Sequence, residues 1–132
     1  MNLEEVLLID DNNIDNYINK FIVGKSKITT KITVQCSPVE ALDYLKHMEG
    51  KFPKLIFLDI KMPEMDGFGF LEIFDKFPAQ KKENCNIVML TSSHNQFDIE
   101  RANNNPYVKK YLIKPLDLTK LKDVLKDVFA YV

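Results

Sequence analysis

Two apolar runs in this chain end in carboxylates. Leu55-Ile56-Phe57-Leu58 leads into Asp59, and Val6-Leu7-Leu8-Ile9 leads into Asp10-Asp11. Two more runs end on groups that complement a carboxylate cluster: Ile87 to Leu90 reaches Thr91-Ser92-Ser93, and Tyr111 to Ile113 reaches Lys114-Pro115. Three acids brought into one cleft repel one another, and a raised pKa or a bound cation relieves the repulsion. A hard divalent ion such as Mg2+ suits oxygen donors of this kind, because it takes one or two carboxylates, keeps waters and leaves room for a phosphoryl oxygen. A lysine ammonium and a threonine hydroxyl suit the far side of that phosphoryl group. Asp59 is then the candidate nucleophile, forming an aspartyl phosphate. Phosphoryl transfer asks mainly for positioning and charge neutralisation, which these groups supply.

Taken singly, each residue has a plainer reading. Asp59 reads as a turn aspartate, Asp10 and Asp11 as loop and cap residues, Thr91 as a strand-end hydroxyl, Lys114-Pro115 as a turn and Tyr111 as core. The chemistry therefore depends on elements that bring them to one edge.

Those elements alternate along the chain. Glu5 to Ile9, Lys31 to Cys36, Leu55 to Leu58, Ile87 to Leu90 and Tyr111 to Ile113 read as strands. A first helix follows Asn12-Asn13, with Ile14, Tyr17, Ile18, Phe21 and Ile22 as its expected buried stripe and Gly24 as its stop. Ser37, Pro38 and Glu40 open a second helix, buried through Ala41, Leu42, Leu45 and Met48 and ended by Gly50 and Pro53. Asp66-Gly67 starts a third, with Phe70, Leu71 and Phe74 inward. Pro78 to Asn86 is expected to be a long polar connection, and Asn95 to Asn104 a marginal, mobile helix. Asp117 caps the last helix, whose stripe runs from Leu118 to Phe129, with Leu116 stapled onto Leu121. Five strands alternating with five helices predict an α/β, doubly wound, five-stranded parallel sheet with right-handed crossovers. In such sheets ligands sit beyond the carboxyl ends of the strands.

At 132 residues the chain is expected to be one domain, spanning 1-132. Its 18 basic residues nearly balance its 19 acidic ones, so overall charge gives no reason to expect a nucleic acid or an anionic membrane as partner. No apolar run approaches the ~20 residues of a spanning helix. Glu4 and Glu5 stand where a secretory signal carries basic residues. Cys36 and Cys85 lack metal spacing and read as reduced, half-buried thiols of a cytoplasmic protein.

Asp10-Asp11, Asp59 with Met62-Pro63 and Asp66-Gly67, Thr91-Ser92 and Lys114-Pro115 occur in the order and spacing of a response-regulator receiver domain. From end to end the chain resembles that family in its stand-alone, chemotaxis-regulator form. The resemblance implies a flavodoxin-like (βα)5 fold with strand order 2-1-3-4-5. It implies that Asp59 takes a phosphoryl group from the phosphohistidine of a sensor histidine kinase. Asp10, Asp11, Asp59 and the backbone carbonyl of Lys61 would hold Mg2+, and Thr91 and Lys114 would contact the phosphoryl group. It implies a cis Lys114-Pro115 bond and a switch through Thr91 and Tyr111 to the face formed by the fourth helix, fifth strand and fifth helix.

With the chain ending at Val132, no output domain is expected. Output would then pass to a downstream protein or, in a relay, to a histidine phosphotransfer protein. Lys61 and Ser93, each two residues beyond a site residue, stand where side chains reach the phosphoryl group, and they leave its lifetime open. One alternative is a degenerate receiver acting as a constitutive interaction module; the full set of site residues speaks against it. Another, a nucleotide- or flavin-binding domain, lacks a glycine cradle after the first strand.

Overall fold

The computed structural model describes residues 1–131; Val132, the last residue of the expected domain, lies outside them. Five strands, β1 (Val6–Ile9), β2 (Ile32–Gln35), β3 (Leu55–Leu58), β4 (Asn86–Thr91) and β5 (Val108–Ile113), form one parallel sheet in the order β2-β1-β3-β4-β5. The fold is thus the doubly wound, flavodoxin-like arrangement with strand order 2-1-3-4-5. Among the described residues there are six helices: α1 (Asn13–Ser26), α2 (Pro38–Lys46), α3 (Gly67–Asp75), α4 (Ala79–Lys82), α5 (Gln96–Asn103) and α6 (Leu118–Phe129).

The strands are apolar throughout because both faces of the sheet are covered. Leu7, Ile9, Ile56, Leu58, Ile87 and Met89 face one core, with Leu45 of α2, Phe70, Leu71 and Phe74 of α3 and Ala102 of α5. Their alternate neighbours Val6, Leu8, Leu55, Phe57, Val88 and Leu90 face the other, with Val23 of α1 and Leu121, Val124 and Leu125 of α6. Burying each such side chain contributes about 1.5–3 kcal/mol. Leu116 and Leu121, the expected staple, are both buried in the second core.

Four expectations need correction. First, α1 is turned so that of the expected stripe only Ile18 and Ile22 are partly buried. Its buried residues are Asn16, Asn19 and Val23, whereas Ile14, Tyr17 and Phe21 are 72%, 74% and 57% exposed. The cause is polar: Asn16 Nδ2 donates to the Asp10 carbonyl at 2.7 Å, which turns that side of the helix toward the sheet. Gly24 does not stop α1, which runs to Ser26 and ends on Lys27 in the left-handed region (φ 58°). Second, the Pro78–Asn86 connection holds α4, which Lys82 fastens to the Asp75 carbonyl (2.6 Å) and Tyr107 hydroxyl (2.8 Å). The fourth and fifth helices of a five-helix numbering are therefore α5 and α6 here. Third, α2 ends at Lys46, before Gly50. Fourth, of the two thiols, Cys36 is exposed and Cys85 buried, rather than each half-buried.

The weakly periodic stretch before β5 does form a helix, α5. Asn95 caps it through Phe97 N–H (2.8 Å), Ala102 is buried, and the Arg101 guanidinium lies 4.2 Å from the centre of the Phe68 ring.

Candidate functional site

Register brings the acids together. Ile9 of β1 pairs with Leu58 of β3, so Asp10 and Asp59, one residue later on each strand, leave the sheet side by side. Asp59 N–H donates to the Ile9 carbonyl at 3.1 Å, which ties the two strand ends at that point. Carboxylate oxygens of Asp10, Asp11 and Asp59 lie within 4.8 Å of one another. Asp10 and Asp59 are buried, 2% and 6% exposed, while Asp11 faces solvent. One oxygen of each buried acid is held by the main chain: Asp10 Oδ1 accepts from Asn12 N–H (2.9 Å) and Asp59 Oδ1 from Ile60 N–H (2.7 Å).

The other oxygens face Lys114, which follows β5. Its Nζ lies 2.7 Å from Asp10 Oδ2, 2.9 Å from Asp59 Oδ2 and 2.8 Å from Asp15 Oδ2. Burial disfavours this ammonium, but the three carboxylate contacts outweigh it and hold its pKa above the usual lysine range. Burial raises the pKa of Asp10, and the Asp59 charge adds to that, against the pull of Lys114 and Asn12. The donor set fits a hard divalent cation: three carboxylates meet at one rim, with enough mutual repulsion to hold a lysine against two of them.

Thr91, the last residue of β4, is fully buried, and its Oγ1 accepts from Ser93 N–H at 3.3 Å. Thr91 and Lys114 are joined through the main chain, Lys114 N–H to Thr91 O at 2.8 Å. The Lys114–Pro115 peptide bond is cis. Tyr111 is half-buried, and its hydroxyl donates to the Ser93 carbonyl at 3.0 Å. The Ser93 hydroxyl in turn donates to Asp98 in the first turn of α5 (2.7 Å). A polar chain thus runs from β5 through the β4 loop to α5. The Lys61 side chain is exposed.

Neither Asp15 nor Asn16 stands out in the sequence. An acid in the first turn of a helix is commonplace because it suits the helix dipole, so Asp15 carried no distinguishing signal. Asn16 lies on the side of α1 that apolar periodicity marks as polar. A cavity of about 560 Å3 opens at the opposite, amino-terminal edge of the sheet, between residues such as Glu5, Lys31, Phe52 and Lys54. It has no part in the strand-end cluster, and the Glu5 carboxylate there is already engaged by the Thr33 and Tyr44 hydroxyls.

Comparison with known proteins agrees with this geometry. Residues 6–126 match the family model described as response regulator receiver domain. The chain is 30% identical over 129 residues to the probable methanogenesis regulatory protein FilR2 of Methanothrix harundinacea, covering 96% of this chain and 81% of that protein. It is 29% identical over 131 residues to response regulator Rcp1 of Synechocystis, covering 96% of this chain and 86% of that one. A two component response regulator from Cytophaga hutchinsonii superposes with a TM-score of 0.90 at 27% identity, covering 99% of this chain and 100% of its own. The chain belongs to the response regulator receiver domain family of two-component signalling systems.

Proposed function

We propose that Asp59 is the phosphoacceptor of this receiver domain and that the domain transmits its phosphorylation state to another protein. The observation that carries this reading is the sharing of the Lys114 ammonium by Asp59 and Asp10 at the strand-end rim, with Asp11 beside them.

A carboxylate oxygen of Asp59 attacks the phosphorus of a phosphohistidine on a sensor histidine kinase or a histidine phosphotransfer protein. The N–P bond breaks, its electron pair stays on the imidazole nitrogen, and that nitrogen takes a proton. Ile60 N–H orients the attacking carboxylate through Oδ1. Lys114 supplies positive charge at Oδ2 and remains to meet a phosphoryl oxygen, and Thr91 offers its hydroxyl from the end of β4. Asp10, Asp11, Asp59 and the Lys61 carbonyl would hold Mg2+, which supplies charge neutralisation to the phosphoryl oxygens. Water on the aspartyl phosphate returns the carboxylate and releases inorganic phosphate.

Output runs through Thr91 and Tyr111 to the surface of α5, β5 and α6. Movement of Thr91 toward a phosphoryl group pulls on Ser93 N–H, and Ser93 already contacts both the Tyr111 hydroxyl and Asp98. The chain then acts as a receiver module of the cytoplasm, handing its state to a downstream protein or its phosphate to a relay. No helix among the described residues is long and apolar enough to cross a membrane.

The test is labelling by a small acyl phosphate. The wild type should incorporate acid-stable, hydroxylamine-labile phosphate only with Mg2+, and Asp59→Ala should incorporate none. Undiminished labelling of Asp59→Ala would overturn the assignment.

A further inference from the structure

We infer that Asp15 is a positioning residue for Lys114: it holds the ammonium at the mouth of the site when a divalent cation takes the Asp10 and Asp59 carboxylates. The inference rests on the proposed Mg2+-dependent reading of the site and assigns a role to a residue outside the metal-binding set.

An ammonium has three N–H donors and no acceptor. In this structure Lys114 faces one oxygen each of Asp10, Asp15 and Asp59, at 2.7, 2.8 and 2.9 Å. Two of these acids also belong to the carboxylate cluster; Asp15 does not. A divalent ion on Asp10 and Asp59 competes with Lys114 for their oxygens and repels its charge. The Lys114 side chain is only 13% exposed, so an ammonium displaced from both acids would be poorly solvated where it stands. Asp15, whose side chain is 28% exposed, leaves it one charge-assisted hydrogen bond at the rim.

Asp15 is itself held in place. Its N–H donates to the Asn12 side chain at 3.0 Å, and the next residue, Asn16, fastens α1 to the Asp10 carbonyl at 2.7 Å. The acid that retains Lys114 is therefore built onto the strand end that carries Asp10. The orientation of α1 accompanies this placement: the Asn16 contact on the side opposite the exposed Ile14, Tyr17 and Phe21 also anchors the turn bearing Asp15.

Isothermal titration with Mg2+ alone tests this in four proteins: wild type, Asp15→Asn, Lys114→Met and the double variant. Asp15→Asn should weaken Mg2+ binding by up to about tenfold when Lys114 is present, because the metal-free variant still holds the ammonium on Asp10 and Asp59 whereas the loaded variant leaves it with no carboxylate partner. In the Lys114→Met background the same change should cost no more than about threefold, the residual effect of one partly exposed charge across a short distance. A loss of equal size in both backgrounds, or no loss in either, would overturn the inference. A second readout is the Lys114 ammonium resonance in 1H–15N spectra. It should persist at saturating Mg2+ in the wild type and broaden into solvent exchange in Asp15→Asn, and persistence in both would also overturn the role. Failure of the wild type itself to bind Mg2+ would overturn the metal reading and this inference with it, a result distinct from binding without coupling.

Discussion

Gly67 lies against the backbone of Asp59. Its N–H donates to the Ile60 carbonyl at 2.8 Å, and a Cβ built on it would collide with the Asp59 carbonyl oxygen and lie 3.1 Å from Ile60 Cα. The first residue of α3 therefore sets the path of the chain just after the proposed phosphoacceptor. The neighbouring atoms are main chain and tied to β1 through Asp59 N–H and Ile9 O, so they have little freedom to yield.

Gly67→Ala is accordingly expected to destabilise the domain by about 3 kcal/mol, in the range of an overpacked core site. It should also slow labelling of Asp59, because the displaced atoms carry that carboxylate. Urea denaturation gives the first effect and acyl phosphate labelling the second. A variant with wild-type stability and labelling would show that this approach is not a constraint.

Lys114→Met leaves Asp10, Asp15 and Asp59 facing one another without a countercharge. In EDTA this should cost about 3 kcal/mol, as expected for removing one partner from a largely buried ionic group. Mg2+ binds the folded cluster and not the unfolded chain, so it should raise the melting temperature of the wild type by linkage and that of Lys114→Met by more. Thermal melts in EDTA and in millimolar Mg2+ at matched ionic strength decide it. Equal Mg2+ shifts in the two proteins would contradict competition between lysine and metal.

On α1, Tyr17→Ala should change stability by less than about 0.5 kcal/mol, whereas Val23→Ala should cost about 2 kcal/mol, since Tyr17 is 74% exposed and Val23 fully buried. Denaturant midpoints of the two variants measure the contrast. The reverse order would restore the helix orientation that apolar periodicity alone suggests.

Burial pushes the Cys85 thiol up from the ordinary 9.0 to about 12. Between those values the unfolded chain has lost the proton and the folded protein keeps it, so the folded state binds more protons and stability falls as pH rises. The slope from this one group approaches ~1.4 kcal/mol per pH unit in that window. Replacing the thiol, as in Cys85→Ala, should flatten the alkaline limb of a stability–pH profile. At pH 8 one thiol, Cys36, should react with a disulfide reagent in the native protein, with Cys85 reacting only on unfolding.

The fold class and the convergence of the candidate site residues were legible because the signals were local and repeated. Each strand is a short apolar run, and Asp10, Asp59, Thr91 and Lys114 stand at or just past the ends of four of them. A parallel sheet places all carboxyl ends at one edge, so sequence position alone carried these residues to a common rim. Caps at Asn12, Ser37, Asp66 and Asp117 were equally plain, since an N-cap acts on N–H groups two or three residues away.

Only the tertiary structure decided which way α1 faces and which acids share Lys114. Hydrophobic periodicity assumes that the apolar side of a helix is the buried one. Here a 2.7 Å bond from Asn16 to the Asp10 carbonyl accompanies the opposite orientation, with Ile14, Tyr17 and Phe21 in water. Asp15 and Lys114 are 99 positions apart, and nothing local in either stretch marks them as partners. They meet because β1 and β5 end at the same edge of one sheet and the α1 turn overhangs it. The types and order of the reactive groups are a property of the sequence; the lysine's third carboxylate partner is a property of the packed fold.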